Sequence, residues 1–307
     1  MMYSPREYKL KSDLISNPMK ATEFADVLRA ARARRGILVM GICNVTPDSF
    51  SDGGQAFNEA AACTRIEQMI AEGAGIIDIG AESTQPGLRP VAPAIQIDRA
   101  LEIVRWASAR VCVSIDTTSA EVASACLDAG AHVVNDVSLL ADEGVASVCA
   151  KANAALVLSH ARVPQSKMAD FGAYDENAYD DVVVNVLAEW ERAAERAQRA
   201  GVARSALVMD PGLGFSKSNV HSLELLRRTS EIVSALDVPV LIGASRKSLL
   251  TLAAPDTLPV DRLGASIAVA IHAARSGASI VRVHDVGATV QAIDTMRALH
   301  TRHPARA

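Results

Sequence analysis

Eight short apolar runs of this 307-residue chain each end in, or lead into, polar or charged side chains. In chain order these are Asn44, Asp78, Asp116, the pair Asn135 and Asp136, His160, Asp210, Lys247, and the pair Arg282 and His284. Asp116, Asn135 and Asp210 offer acceptors, and Lys247 offers a donor. This mixture suits a flat heterocycle with an aminopyrimidinone edge, because its amino group and ring N–H need carboxylate or amide acceptors.

The first and last members of the series predict a different contact. The side-chain oxygen of an asparagine such as Asn44 binds Mg²⁺, and side chains such as Arg282 and His284 suit phosphate oxygens. Where the first and last runs are neighbours in space, one side of the site is built for a heterocycle and the other for a charged leaving group.

Several members have a plainer interpretation when they are considered singly. Asp78 and Asp136 are expected to cap helices or tether loops, and His160 is expected to be a hydrogen-bonded structural histidine. Asp210 precedes Pro-Gly and is also compatible with a simple turn. Eight independent coincidences at the ends of eight apolar runs are unexpected, which favours one shared site.

The elements that must position these residues alternate regularly from about residue 36 onwards. The predicted strands are 37–42, 76–79, 111–115, 132–135, 155–159, 207–209, 240–242 and 280–283, and the predicted helices are 59–72, 94–109, 119–129, 143–152, 180–200, 220–236, 262–276 and 289–301. Near-continuous apolar strands separated by helices favour a parallel sheet covered by helices. Eight such units predict an α/β fold, a (β/α)₈ TIM barrel.

A doubly wound sheet is the rival architecture. It would have fewer units and a glycine-rich GxGxxG turn after its first strand, and residues 41–54 contain none. No low-complexity linker interrupts the alternation, so residues 36–307 are predicted to form one barrel. Residues 1–35 are predicted to be an N-terminal extension with one helix that caps the bottom of the barrel. Ligands of such barrels bind at the C-terminal ends of the strands, where the polar series stands.

Composition narrows the class of function. A net charge of −4 gives no electrostatic reason to expect nucleic acid or an anionic membrane as a partner. The five cysteines are scattered and include no CxxC pair, which argues against a disulfide framework or a zinc site. The N-terminal sequence lacks the apolar stretch of a signal peptide. A cytoplasmic protein is therefore expected.

The segment GICNVTPDSFSDGG, residues 41–54, passes from an apolar run into a loop that carries Phe50 between Asp48 and Asp52. A surface loop does not need this aromatic ring, and a core does not favour the flanking carboxylates. These residue types indicate a loop that holds a ligand.

Seven segments occur in the order typical of one enzyme family, and together they cover about residues 36–300. They are NVTPDSFSDGG, DIGAESTQPG, SIDTT, VNDVS, DPGLGF, IGASRKS and RVHDV. The chain thus resembles the dihydropteroate synthases. These enzymes condense 6-hydroxymethyl-7,8-dihydropterin diphosphate with p-aminobenzoate in the folate pathway. The resemblance implies a transferase, Mg²⁺ as cofactor, small-molecule substrates and a homodimer.

The resemblance also implies a role for individual residues. The pterin-binding set comprises Asp116, Asn135, Asp210, Phe215, Gly243, Lys247 and Arg282. The p-aminobenzoate pocket comprises Phe50, Thr84, Pro86, Phe215 and Ser248, and the diphosphate site comprises Asn44, Arg282 and His284. Asn44 is the implied metal ligand, and Asp52, Lys247, Arg282 and His284 are the implied catalytic residues.

Some positions depart from the family pattern. Gln85 stands where arginine is usual, Ala81 where glycine is usual, LSHARVP replaces a Met-His-Met-Gln-Gly stretch, and GFSKS replaces Gly-Phe-Gly-Lys-Thr. The loss of the loop arginine leaves open a pterin-binding paralogue that is non-catalytic or has an altered substrate. A pterin-binding methyltransferase that serves a corrinoid is the other alternative, although it has no need of TPDSFSDGG or SRKS.

Overall fold

The computed structural model describes residues 21–46, 59–82, 90–163, 174–253 and 255–300. Eight strands lie in these ranges: β1 Leu38–Asn44, β2 Ile76–Gly80, β3 Cys112–Asp116, β4 Val133–Asp136, β5 Ala155–Ser159, β6 Leu207–Asp210, β7 Leu241–Ile242 and β8 Ile280–Val283. Neighbouring strands are parallel, in the order β6-β5-β4-β3-β2-β1-β8-β7. A parallel bridge between Met209 and Val240 brings β6 beside β7 and closes the ring. The predicted barrel is confirmed.

Helices separate and cover the strands within the described ranges. They are α1 Ala21–Arg35, α2 Glu59–Glu72, α3 Pro93–Ser108, α4 Ala120–Asp128, α5 Gly144–Ala152, α6 Val182–Arg199, α7 Asn219–Arg227, α8 Thr229–Ala235, α9 Leu263–Arg275 and α10 Val286–His300. Short 3₁₀ helices occupy Arg204–Ala206, Ser248–Leu252 and Pro259–Asp261. Among these helices none combines the length and apolar character that a membrane span needs.

Alternation along each strand divides the core into two layers. On β3, Cys112 packs with the residues that fill the barrel interior, whereas Val113 and Ile115 pack with the helix-facing core. The inward positions nearer the C-terminal end of this strand are Ser114 and Asp116, so the interior changes from apolar to polar along the barrel axis.

Helix α1 closes the N-terminal end of the barrel. Phe24 is 2% exposed and packs in the interior cluster with Leu38, Ile76 and Ile280, which begin or nearly begin their strands. Val27, Leu28 and Ala31 line the same contact. The predicted N-terminal helix is present, and the domain boundary at residues 35 and 36 stays a prediction.

Two element boundaries differ from the prediction in ways that matter for the site. The single helix predicted over 220–236 is two helices, because Arg228 between them has φ −98° and ψ 21°. Strand β1 runs to Asn44, where it pairs with Gly80, rather than ending at residue 42. This extension brings Asn44 to the rim of the sheet.

Candidate active site

Strand register sets members of the polar series side by side at the C-terminal ends of neighbouring strands. Asp116 pairs with Gly80 on one side and with Asn135 on the other, and Ser159 pairs with Asp210. Asp116, Asn135, Ser159 and Asp210 are all buried. The four consecutive strands β3 to β6 therefore contribute to one recessed floor.

Arg282 crosses this floor from β8. Its Nε donates to Asp78 Oδ2 at 2.6 Å, and its Nη2 donates to Asp116 Oδ2 at 2.7 Å. Asn135 Nδ2 donates to the same Asp78 oxygen at 3.1 Å. Burial raises the pKa of Asp116 to about 7 against the opposing effect of Arg282, with Asp78 and Asp136 adding to the rise. Burial lowers the pKa of Arg282, but the three carboxylates Asp78, Asp116 and Asp210 more than offset this, so the pKa is raised.

Asp210 is held by two donors. Ser159 Oγ donates to Oδ2 at 2.7 Å, and the backbone N–H of Gly212 donates to Oδ1 at 2.8 Å. Gly212 has φ +65°, and a side chain there would overlap the carbonyl of His160, so glycine is required. Gly243 lies across the floor, where an added Cβ would stand 3.9 Å from Asp210 Oδ2. The carboxylate is thus fixed in orientation beside an open patch of backbone.

Lys247 and Phe215 form one wall of the recess. Lys247 Nζ donates to the carbonyl of Leu213 at 2.7 Å and lies 4.6 Å from the centroid of the Phe215 ring. Burial lowers the pKa of Lys247 to about 8, although Asp210 opposes the shift. Phe215 packs with Val137 and Ala161. The wall offers an apolar face beside a cation.

Three buried oxygen atoms in this region have no hydrogen-bond partner among the described residues. They are Asp78 Oδ1, Asn135 Oδ1 and Ser114 Oγ. Buried polar atoms normally have partners, and a site that binds donors is one setting in which they do not. Two acceptor oxygens on the floor therefore stand ready for the N–H groups of a ligand.

The other side of the rim carries Asn44 and His284. Asn44 is exposed at the end of β1. Ser245 Oγ lies 3.0 Å from His284 Nδ1 and accepts from the backbone N–H of His284 at 3.3 Å. Burial lowers the pKa of His284 to about 3, and the neighbouring Arg246 and Arg282 add to the effect. His284 is thus neutral near pH 7 and offers a hydrogen bond rather than a positive charge.

Ser248 lies beside this rim at the first residue of the 3₁₀ helix Ser248–Leu252, directly after Lys247. Its Oγ donates to Asn219 Oδ1 at 3.2 Å. The predicted residues Phe50, Asp52, Thr84 and Pro86, and the unusual Gln85, lie outside the described residues.

Three residues that build or support the floor were given no binding role by the sequence. Asp78 was expected to cap or tether, and this is wrong because it pairs with Arg282 and Asn135. Ser159 orients Asp210, and its place as the last inward residue of β5 was the only available signal. Lys217 lies directly below the loop that follows β6. Asp136, in contrast, tethers its loop as predicted, since it accepts from Ser138 at 2.8 Å and from Leu140 at 2.7 Å.

No group of three or more His, Cys, Asp or Glu side chains in the described ranges could hold a metal ion. The lack of such a group among the described residues argues against a metal site at this rim whose ligands all come from the protein. It is compatible with a cation such as Mg²⁺, which takes one or two protein oxygens and completes its shell with water and substrate phosphates.

Comparison with known proteins agrees with this geometry. A family model described as pterin binding enzyme matches residues 40–284. Dihydropteroate synthase of Mycobacterium leprae is 42% identical over 269 residues, which are 85% of this chain and 93% of that protein. A probable bifunctional folylpolyglutamate synthase/dihydropteroate synthase of Haloferax volcanii is 41% identical over 275 residues, which are 88% of this chain and 31% of that longer protein.

Solved structures of Xanthomonas albilineans dihydropteroate synthase have the same fold. The structure with 4-aminobenzoic acid has a TM-score of 0.79 and 36% identity, over 87% of this chain and 94% of that chain. The structure in complex with 7,8-dihydropteroate has a TM-score of 0.76 and 34% identity, over 87% and 95% of the two chains. Fold and family match together define a pterin-binding TIM-barrel enzyme. Within that class, the chain belongs to the dihydropteroate synthase family, the transferases of folate biosynthesis.

Proposed function

We propose that this chain condenses 6-hydroxymethyl-7,8-dihydropterin diphosphate with p-aminobenzoate, releasing 7,8-dihydropteroate and diphosphate. The observation that carries the proposal is the buried floor itself. Asp116, Asn135 and Asp210 present acceptors at the buried ends of β3, β4 and β6, and Lys247 and Phe215 form the adjoining wall. A pterin has a flat ring with a row of N–H donors along one edge, which suits such a floor.

Asp210 is the main anchor for the pterin in this proposal. Because Ser159 and Gly212 already hold one lone pair on each oxygen, the carboxylate faces the ligand with its remaining acceptor capacity. Asn135 Oδ1 supplies a further acceptor. Phe215, Gly243 and Lys247 line the same recess, with Gly243 leaving space for the ring.

The reaction is substitution at the pterin methylene carbon, in which the C–O bond breaks ahead of attack by the arylamine. The chain needs no covalent nucleophile for this. The carboxylates of Asp116 and Asp210 balance the positive charge that develops on the pterin, and the low-polarity recess strengthens that interaction. Arg282, held between Asp78 and Asp116, keeps a positive charge on the leaving-group side of the floor.

Mg²⁺ fits the diphosphate side, where Asn44 offers an exposed amide oxygen at the strand end and the other ligands come from phosphate and water. When bound, the ion neutralises charge on the departing diphosphate. Asn44 would hold the ion, and neutral His284 would donate a hydrogen bond to a diphosphate oxygen. Asp52 is proposed to help organise this cluster.

p-Aminobenzoate is proposed to bind against Phe215 and near Ser248, with Phe50, Thr84 and Pro86 completing its pocket. Support from the described residues comes from the position of Ser248 at the start of a 3₁₀ helix beside Lys247. The hydroxyl group and nearby ammonium group suit a carboxylate.

A homodimer and a cytoplasmic location are also proposed. Exposed apolar side chains lie close together in the sequence around the second and third 3₁₀ helices, at Leu252, Leu258, Val260 and Leu263, with exposures of 54%, 66%, 60% and 38%. Exposed apolar surface favours self-association. All five cysteines are free thiols, which fits a reducing compartment.

One assay tests the proposed reaction. Diphosphate release from the pterin diphosphate is measured with and without p-aminobenzoate, and dihydropteroate is identified by mass spectrometry. We expect release to depend on the arylamine and on Mg²⁺, with full inhibition by a chelator. Tight pterin binding without any dihydropteroate would instead identify a non-catalytic paralogue.

A further inference from the structure

Lys217 is fully buried, and its ammonium group is surrounded by acceptors. Nζ lies 2.8 Å from His160 Nδ1, 3.2 Å from the His160 carbonyl, 3.0 Å from the Gly212 carbonyl and 2.9 Å from the Phe215 carbonyl. A neutral amine has two N–H groups and a lone pair, which would face an acceptor unfavourably. Burial lowers the pKa of Lys217 well below its usual value, and Asp210 opposes the shift. The four acceptors that surround Nζ among the described residues nevertheless favour the charged form, with three N–H groups shared among them.

The negative charge that balances Lys217 comes from Glu189, through a chain of hydrogen bonds that runs by way of His160. This chain is called the relay below. His160 Nδ1 accepts from Lys217, so its proton lies on Nε2, which donates to Glu189 Oε2 at 2.9 Å. Glu189 also pairs with Arg162 at 2.6 Å. Hydrogen bonds from His160 and Arg162 lower the pKa of Glu189 to about 2, while burial lowers the pKa of His160 to about 4. The imidazole is thus neutral and links a cation to a carboxylate.

The two loop carbonyls held by Lys217 belong to the segment that builds the heterocycle side of the site. Gly212 donates its N–H to Asp210 and turns its carbonyl to Lys217. Phe215 offers its ring to Lys247 and its carbonyl to Lys217. Between them, the carbonyl of Leu213 accepts from Lys247. Lys217 therefore holds this loop at Gly212 and Phe215, on either side of Leu213, whose carbonyl accepts from Lys247.

We infer that Lys217 is a positioning residue for pterin binding. It fixes the loop 210–215 through hydrogen bonds to the carbonyls of Gly212 and Phe215. It does not touch the ligand in this arrangement. The inference rests on the proposed function, because it assigns the heterocycle of that reaction to the recess above this loop.

The test compares Lys217→Met, which keeps the apolar stem and removes the charge, with Lys151→Met, the same change at an exposed lysine of α5. The probe is 6-hydroxymethylpterin, and its dissociation constant is measured by calorimetry. We expect the dissociation constant of Lys217→Met to be at least about tenfold higher than that of the wild type, because charge-assisted hydrogen bonds to the loop are lost. The Lys151→Met variant should match the wild type.

A merely structural role would lower the melting temperature without changing the affinity of the folded fraction. A positioning role and a merely structural role are separated by comparing the KM values of the two substrates. The KM for the pterin diphosphate should rise with its dissociation constant, while the KM for p-aminobenzoate at saturating pterin should stay within about threefold. A folded Lys217→Met variant that binds the probe within about twofold of wild type overturns the inference.

Glu189→Gln provides a second test that leaves the lysine in place, with Glu191→Gln on the same helix as its control. Loss of the carboxylate weakens the relay, so a rise of roughly two- to fivefold in the probe's dissociation constant is expected for Glu189→Gln alone. If Lys217→Met does not fold, the comparison of Glu189→Gln with Glu191→Gln tests the inference instead. Unchanged binding of the probe by Glu189→Gln then rejects it. Failure of the wild type to bind the probe or release diphosphate would instead reject the proposed function.

Discussion

At the scale of single residues, the site depends on how acceptors are oriented in a buried floor. Asp210 shows this best, because both of its oxygens are already fixed by Ser159 and Gly212 before any ligand arrives. A ligand that donates N–H groups meets a carboxylate that need not rotate. Little conformational entropy is then lost at this residue on binding.

Asp210→Asn should severely weaken pterin binding. The amide brings two N–H donors to a position where Ser159, Gly212 and the ligand all donate. At least one N–H of the amide therefore faces another donor instead of an acceptor. Loss of a charge-assisted hydrogen bond in a buried site costs about 1.5–3 kcal/mol, or roughly ten- to a hundredfold in affinity. Calorimetry with 6-hydroxymethylpterin measures the effect, and Asp128→Asn at an exposed position is the control. Unchanged affinity would remove Asp210 from the site.

Asp116 should make pterin binding depend on pH near neutrality. Its pKa is raised from 3.8 to about 7, chiefly by burial, so the carboxyl is increasingly protonated as the pH falls below that value. A protonated carboxyl loses acceptor capacity, and affinity should fall by up to about tenfold per pH unit below the pKa. Dissociation constants measured between pH 5.5 and 7.5 give the profile. The acid limb should disappear in Asp116→Asn, and an identical limb in that variant would assign the titration to another group.

At the scale of elements, the helix that precedes the barrel stabilises the end opposite the site. Phe24→Ala should lower the free energy of unfolding by about 3–5 kcal/mol, because it removes a large ring from the interior cluster. Urea denaturation measures this loss, with Leu299→Ala, at 80% exposure, as the control. The kcat of folded protein should be unchanged, since Phe24 lies among residues that begin the strands. A loss below about 1 kcal/mol would mean that α1 is not part of the barrel core.

The sequence predicted all eight strands to within two residues at each end, because each is a short apolar run buried on both faces. It also predicted which residues stand at the strand ends. It could not predict which of them meet across the barrel, since Asp78 and Arg282 are 204 positions apart in the chain. Lys217 was missed for a related reason. Its neighbours Ser216 and Ser218 are polar and indicate a surface loop, whereas its acceptors belong to His160, which directly follows β5, and to the loop after β6.

At the scale of the whole molecule, closure of the ring turns separated strand ends into one chemical surface. The floor joins the carboxylates of Asp78, Asp116 and Asp210 to the cations of Arg282 and Lys247. The rim at the ends of β1 and β8 carries the amide of Asn44 and the imidazole of His284. This division favours a pterin on the carboxylate side and an anionic leaving group on the other.

The last prediction concerns Gln85, which lies outside the described residues, so the chemistry of its side chain alone carries the prediction. Arginine at this position could make charge-assisted hydrogen bonds to diphosphate oxygens or to a carboxylate such as Asp52, and glutamine replaces these only in part. p-Aminobenzoate is expected to bind after the diphosphate has ordered its surroundings, so its affinity should suffer more than that of the pterin. Gln85→Arg should lower the KM for p-aminobenzoate by up to about tenfold, equivalent to roughly 1.4 kcal/mol. Steady-state kinetics at saturating pterin diphosphate measure this, with Gln291→Arg on α10 as a control for added charge. If neither the native chain nor Gln85→Arg makes dihydropteroate while both still bind pterin, the missing arginine marks a paralogue that has lost the reaction.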